Sequence, residues 1–152
     1  MRREGTQHLG LLVRRAAKTD RQALLELLEE LLPGEASKSQ GSKMLGRGLR
    51  DEGYDLFVAT LGRDIAGLVD VWTFPDVGEG ANLSTIQNLI VRSAFRGRGV
   101  ADSLLEKAIA TARKRRTKEI HVSTMAQNTR AIGLYKKHGF TKKHLLLEKS
   151  PL

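Results

Sequence analysis

Two β-rich runs, Tyr54 to Leu61 (YDLFVATL) and Ile65 to Phe74 (IAGLVDVWTF), are separated by only Gly62-Arg63-Asp64. Two such runs with a glycine-bearing gap this short predict a β-hairpin. A polar loop, PDVGEGAN, leads into a third run, LSTIQNLIV, which ends at Val91. The periodicity then changes. From about Gly99 to Lys114, Leu104, Leu105, Ala108, Ile109 and Ala112 recur on one helical face. A short strand follows at EIHVSTM, a second helix from about Thr129 to His138, and a closing strand at FTKKHLLLEK. A hairpin followed by strand, helix, strand, helix and strand predicts an α/β (α+β) domain with a mixed central sheet and flanking helices.

Upstream, Leu9 to Ala16 (LGLLVRRA) reads as a first strand, and Thr19 or Asp20 as the cap of the helix after it. In that helix Leu24, Leu25, Leu27, Leu28, Leu31 and Leu32 keep helical spacing until Pro33-Gly34. The next segment, GEASKSQGSKMLGRGLRDEG, is poor in large apolar residues and predicts a loop with a short helix around Lys43 to Glu52. No repeat or linker divides the chain, so 1–152 is expected to be a single domain.

Lys and Arg number 26 against 17 Asp and Glu, a net charge of +9 that favours polyanions and phosphorylated cofactors. Cysteine is absent, and His8, His121, His138 and His144 show no ligand spacing, so no metal site is expected. No apolar run approaches the roughly 20 residues of a membrane span, and MRREGTQHLG lacks the apolar core of a signal peptide. The expectation is a cytoplasmic protein without membrane contact.

The stretch FRGRGVADSLLEKAI, Phe95 to Ile109, places Gly97, Gly99, Arg96 and Arg98 immediately before a helix. It is not a Walker A loop, and Asp102 occupies the place of the third glycine in a dinucleotide fingerprint. What remains is a strand end, a small-residue turn and a helix start at Gly99, Val100 and Ala101. There, free N–H groups and the positive end of the helix dipole favour an anion, and the arginines add donors suited to phosphate. The alternative is a tight turn with solvated arginines. A second stretch, NTRAIGLYKKHGF, carries Asn128, Ala131, Leu134 and Tyr135 on one helix and Gly139-Phe140 after it.

Together these stretches resemble the GNAT superfamily of N-acetyltransferases, which move an acetyl group from acetyl-CoA to an amine. Arg96, Gly99 and Ala101 meet the family's first pattern, and Asn128, Ala131, Tyr135, Gly139 and Phe140 meet its second. The specific likeness runs from about Thr85 to Phe140. The resemblance implies a GNAT-like fold, with the backbone of Leu89, Ile90 and Val91 pairing with the pantetheine arm of CoA. It implies that the amides of Gly97, Arg98, Gly99, Val100 and Ala101, with Arg96, hold the pyrophosphate, that Asn128 touches the arm or orders its turn, and that Tyr135 lies near the thioester sulfur. A leaving thiol has a pKa of about 8.5 and a tyrosine about 10, so Tyr135 would be protonated at neutral pH and fit to act as general acid. The acceptor would be a primary amine of a small molecule or protein, and homodimers are common in the family.

Where many members carry a glutamate on the fourth strand, this chain has Gln87, with Thr85 on the same face. Neither takes a proton, yet an ammonium near pKa 10.4 must shed one, at a cost of about 4.6 kcal/mol at pH 7. Either a water held by Gln87 and Thr85 passes it to solvent, or a carboxylate takes it, and Asp70, Asp76 and Glu79 are the available acids. The period of two sets Asp70 among Leu68, Trp72 and Phe74. Either a structural partner satisfies it, or Asp70, helped by Glu79 and with Gln87 orienting the nitrogen, lines an acceptor pocket for cationic amines. The basic run RKRRTK, Arg113 to Lys118, opens a second reading, an RNA- or ribosome-associated module. Its position at a helix C-terminus and its lack of interleaved aromatics favour a dipole-complementing role over direct nucleic-acid binding.

Overall fold

The hairpin forms as expected, turning at Gly62, whose φ of 61° lies in the left-handed region. The computed structural model describes residues 10–34 and 38–152. Five strands, β1 (Leu11–Arg15), β2 (Tyr54–Leu61), β3 (Asp64–Asp76), β4 (Ala81–Val91) and β5 (Glu119–Val122), lie in one sheet in chain order. Neighbours are antiparallel except β4 and β5, which are parallel. A parallel pair requires a long crossover, and helix α3 (Val100–Lys114) supplies it. Helices α1 (Arg21–Leu31) and α2 (Lys38–Gly48) precede β2, and α4 (Thr129–Lys137) follows β5.

The central strands are buried on both faces. Phe57, Ala59, Val69, Val71 and Ile86 pack against Val100, Leu104, Leu105 and Ala108 of α3. The alternate residues Leu56, Val58 and Leu68 pack against Leu24 and Leu27 of α1. The helical spacing in each leucine-rich segment therefore matches one face of the sheet. Leu104, fully buried, lies at the centre of the first cluster. Leu104→Ala is expected to cost about 3 kcal/mol, read as a fall of roughly 10 °C in thermal midpoint.

Three sequence expectations change. Asp20 stands at the N-cap of α1, but its carboxylate is taken by Arg14, at 2.7 and 2.9 Å, and by the Ala17 N–H at 2.7 Å. The hydrogen bond from Arg14 leads in holding its pKa below the usual carboxylate value. Helix α2 starts at Lys38 and ends at Gly48, earlier than the sequence suggests. Its buried Gly46 lies under Arg21 of α1, where a Cβ would sit 3.1 Å from the guanidinium. The closing strand does not form: residues 141–152 adopt neither helix nor strand, and Leu145, Leu146 and Leu147 are 84, 72 and 82% exposed. Three successive leucines put apolar groups on both faces of any strand, and nothing among the described residues covers either face. The start of the first strand at Leu9 lies outside the described residues.

Candidate active site

Strand β4 pairs with β5 only from Leu83 to Ile86. Immediately beyond, the β3–β4 register slips: Val71 faces Ile86 and Val69 faces Leu89, so Gln87 and Asn88 together oppose Asp70. This two-against-one bulge bends the strand. Leu89, Ile90 and Val91 continue without a β5 partner and wall a cavity of about 580 Å³. Leu89 and Val91 pack on the α3 side and Ile90 on the α1 side, which holds the backbone between them on edge.

The next wall is the turn into α3. Gly97 and Gly99 have φ of 73° and 75°. A Cβ on Gly97 would meet nothing within 4 Å, so the left-handed backbone, rather than crowding, calls for glycine there. Gly99 is the N-cap of α3, and the first intrahelical bond runs from the Ser103 N–H to its carbonyl. The Val100, Ala101 and Asp102 amides precede that bond and lack helical partners. Val100 buries its side chain in the core, so what it can offer the cavity is its amide. Arg96 also lines the space. Arg98 does not: its guanidinium lies over the Phe95 ring, 5.7 Å from the centroid, and Phe95 is the residue that reaches the cavity.

The opposite wall is α4. The Asn128 side chain caps the helix, accepting from the Ala131 N–H at 3.1 Å, while Gly139 ends it with φ of 93°. Tyr135, 8% exposed, lines the cavity and packs against Phe140 with ring centroids 5.7 Å apart. Burial raises its pKa, so the phenol stays protonated through neutral pH. The acetyltransferase (GNAT) family matches residues 21–140.

The chain belongs to the GNAT family. A streptothricin acetyltransferase of Escherichia coli is 40% identical over 60 residues, which are 40% of this chain and 34% of that protein. The match thus spans about a third of that relative's length. Among solved structures, a transcriptional regulator of Bacillus halodurans C-125 is 25% identical with a TM-score of 0.83, over 91% of this chain and 98% of that one. AAC(6')-Iy, solved with the bisubstrate analogue CoA-S-monomethyl-acetylneamine, shares the fold at 18% identity and a TM-score of 0.82, over 93% and 99%.

In this GNAT chain the acidic residues expected at the acceptor side are engaged elsewhere. Asp70 is 3% exposed. One oxygen accepts from the Gln87 and Asn88 N–H groups at 3.1 and 2.7 Å; the other accepts from the Tyr54 hydroxyl at 2.7 Å and Asn88 Nδ2 at 2.8 Å. All its acceptor capacity is spent inside the sheet, so it does not line an acceptor pocket. Burial, reinforced by the charge of Asp70, raises the Tyr54 pKa far above the ordinary tyrosine value. Glu79 lies past the far end of the β3–β4 ladder, paired with Lys118, and does not help Asp70. Gln87 is exposed and does not line the cavity; its backbone amide serves Asp70.

The cavity holds one acid, whose only mark in the sequence was to break the dinucleotide fingerprint. Asp102, in the first turn of α3, accepts from Lys137 at 2.7 Å and pairs with His138 at 2.8 Å, both on α4 or its cap. Burial opposes its charge, but these two hydrogen bonds outweigh it and hold the pKa below the usual value. The pairing neutralises a carboxylate beside an anion-seeking helix end and ties α3 to α4. Arg130 also lines the cavity; its only sequence signal is a cation two residues after the Asn128 cap. In the basic run, Arg115 bonds the buried Asp55 at 2.7 Å and Lys118 bonds Glu79, so two of its cations act in the fold. Among the described residues, no cluster of potential metal ligands occurs, and no helix is long and apolar enough to cross a membrane.

Proposed function

We propose that this GNAT chain transfers the acetyl group of acetyl-CoA to a primary amine, of a small molecule or a protein, by direct attack of the amine nitrogen. The observation that carries the reading is the convergence, on one cavity of about 580 Å³, of an unpaired strand edge, an open helix N-terminus and a protonated tyrosine. These residues fit a long thioester with a diphosphate at one end. The β4 edge at Leu89–Val91 offers extended N–H and C=O groups to an arm that carries its own amides. The amides at the start of α3, with Arg96, suit the diphosphate, the helix dipole adding to both. The CoA-bearing analogue in AAC(6')-Iy supports the same use of this fold.

Bound there, acetyl-CoA supplies an activated acyl group. The chain's own part is to position the thioester and keep a proton at the Tyr135 hydroxyl. As the new C–N bond forms and the C–S bond breaks, Tyr135 donates that proton toward the departing sulfur, and the amine's surplus proton leaves to water. Asp70 and Glu79 are committed to Tyr54, Asn88 and Lys118, and Asp76 accepts from the Glu79 N–H in the β3–β4 turn at 2.9 Å, which supports a proton route through solvent.

The test is a panel of amines incubated with acetyl-CoA, with released thiol followed and products weighed by mass spectrometry. Acetyl-CoA-dependent acetylation of at least one amine is expected; a chain that binds no acetyl-CoA overturns the reading. With an acceptor in hand, log(kcat/KM) should rise with pH at a slope of about one until the amine's own pKa, near 10.4 for an alkylamine. A raised pKa keeps the tyrosine donor intact until above about pH 10, so no acid-donor limb should appear before then. A plateau beginning near neutral pH would instead reveal a base on the enzyme.

A further inference from the structure

We propose that Asp70 is a positioning residue for acetyl transfer: it locks the β4 bulge and thereby sets the register and free edge of Leu89–Val91. The inference rests on the reading that CoA lies along that edge. A bulge leaves extra backbone donors outside the ladder, and buried donors need an acceptor. Here both donors, the Gln87 and Asn88 N–H groups, end on one carboxylate oxygen of the single residue opposite them. The other oxygen is steadied by Tyr54 from β2 and by the Asn88 side chain.

Without that acceptor, the two amides must admit water or regain ladder partners by a one-residue slip of β4. A slip would turn each following side chain to the other face. Leu89 and Val91 would leave the α3 cluster and Ile90 the α1 cluster, and the edge presented to the cavity would change with them. The place where β4 leaves β5 coincides with the bulge: the parallel ladder stops at Ile86, one residue before Gln87. A carboxylate inside the sheet thus decides where the cofactor cleft opens.

Three variants separate positioning from mere support. Asp70→Ala removes the acceptor for both amides and should weaken acetyl-CoA binding by at least about 30-fold, the scale of unmet buried amides. Asp70→Asn keeps a carbonyl oxygen for the amides, and Tyr54→Phe touches only the other oxygen. Both should melt earlier than wild type yet bind acetyl-CoA within about threefold of it. The readouts are calorimetric Kd below each variant's melting range and hydrogen exchange at the Gln87 and Asn88 amides, which should stay protected in the Asn and Phe variants. Affinity that falls in step with thermal stability across all three overturns the proposal. If Asp70→Ala does not fold, Asp70→Asn decides. Amides protected with acetyl-CoA lost, or amides exchanging freely with affinity kept, would overturn the inference, whereas both retained supports it. A wild-type protein that binds no acetyl-CoA fails the functional reading instead, before any variant is compared.

Discussion

Gly99→Asp is expected to abolish acetyl-CoA binding while leaving the fold in place. Gly99 is the N-cap of α3 with φ of 75°, at the point where the cavity meets the helix amides. Aspartate tolerates left-handed backbone better than most residues and is at home at N-caps, so the strain is small, about 1 kcal/mol. Its carboxylate, however, would occupy the cradle and face a diphosphate. Like charges about 4 Å apart repel by roughly 1 to 4 kcal/mol at aqueous to protein-surface screening, and the side chain also fills ligand space. A loss of at least about 100-fold in affinity follows. Calorimetry with acetyl-CoA on Gly99→Asp and Gly99→Ala separates the causes: alanine adds strain and a methyl group, aspartate adds charge. Wild-type affinity in the aspartate variant would remove the diphosphate from this helix end.

Tyr135→Phe is expected to lower kcat by about 10- to 1000-fold, the usual range for removing a general acid. KM and Kd for acetyl-CoA should change little, because the ring remains to pack on Phe140 and only the hydroxyl is lost. Burial keeps that hydroxyl protonated, so its contribution should be level from acid to neutral pH and fall only in the alkaline range. Unchanged turnover under conditions where chemistry limits the rate would reduce Tyr135 to a packing residue.

The two predictions draw on residues of different legibility. Gly97, Gly99, Asn128 and Gly139 were readable because each carries a local backbone or capping role that its residue type announces: left-handed φ at the three glycines and an N-cap at Asn128. Tyr135 carries no such role, and only the family resemblance pointed to it. Arg98 was not readable, because a flexible cation beside a motif can turn either way, and here it turns onto Phe95. The pairing of Asp102 was not legible because its partners, Lys137 and His138, lie 35 and 36 residues away.

Local chemistry in the chain determined the types and order of the elements from β1 to α4, the hairpin, the two helix faces and the small-residue turn at the start of α3, since periodicity and turn propensity act over a few residues. Tertiary structure alone decided what the acids do. Asp70 could equally have faced a ligand until β4 was seen to present two bulge amides and β2 a tyrosine hydroxyl to it. It likewise decided that α2 begins at Lys38 and that the last leucines stay outside the sheet. A buried carboxylate, a weak helix and an edge strand each have small local preferences, and the neighbours that settle them come from distant parts of the chain.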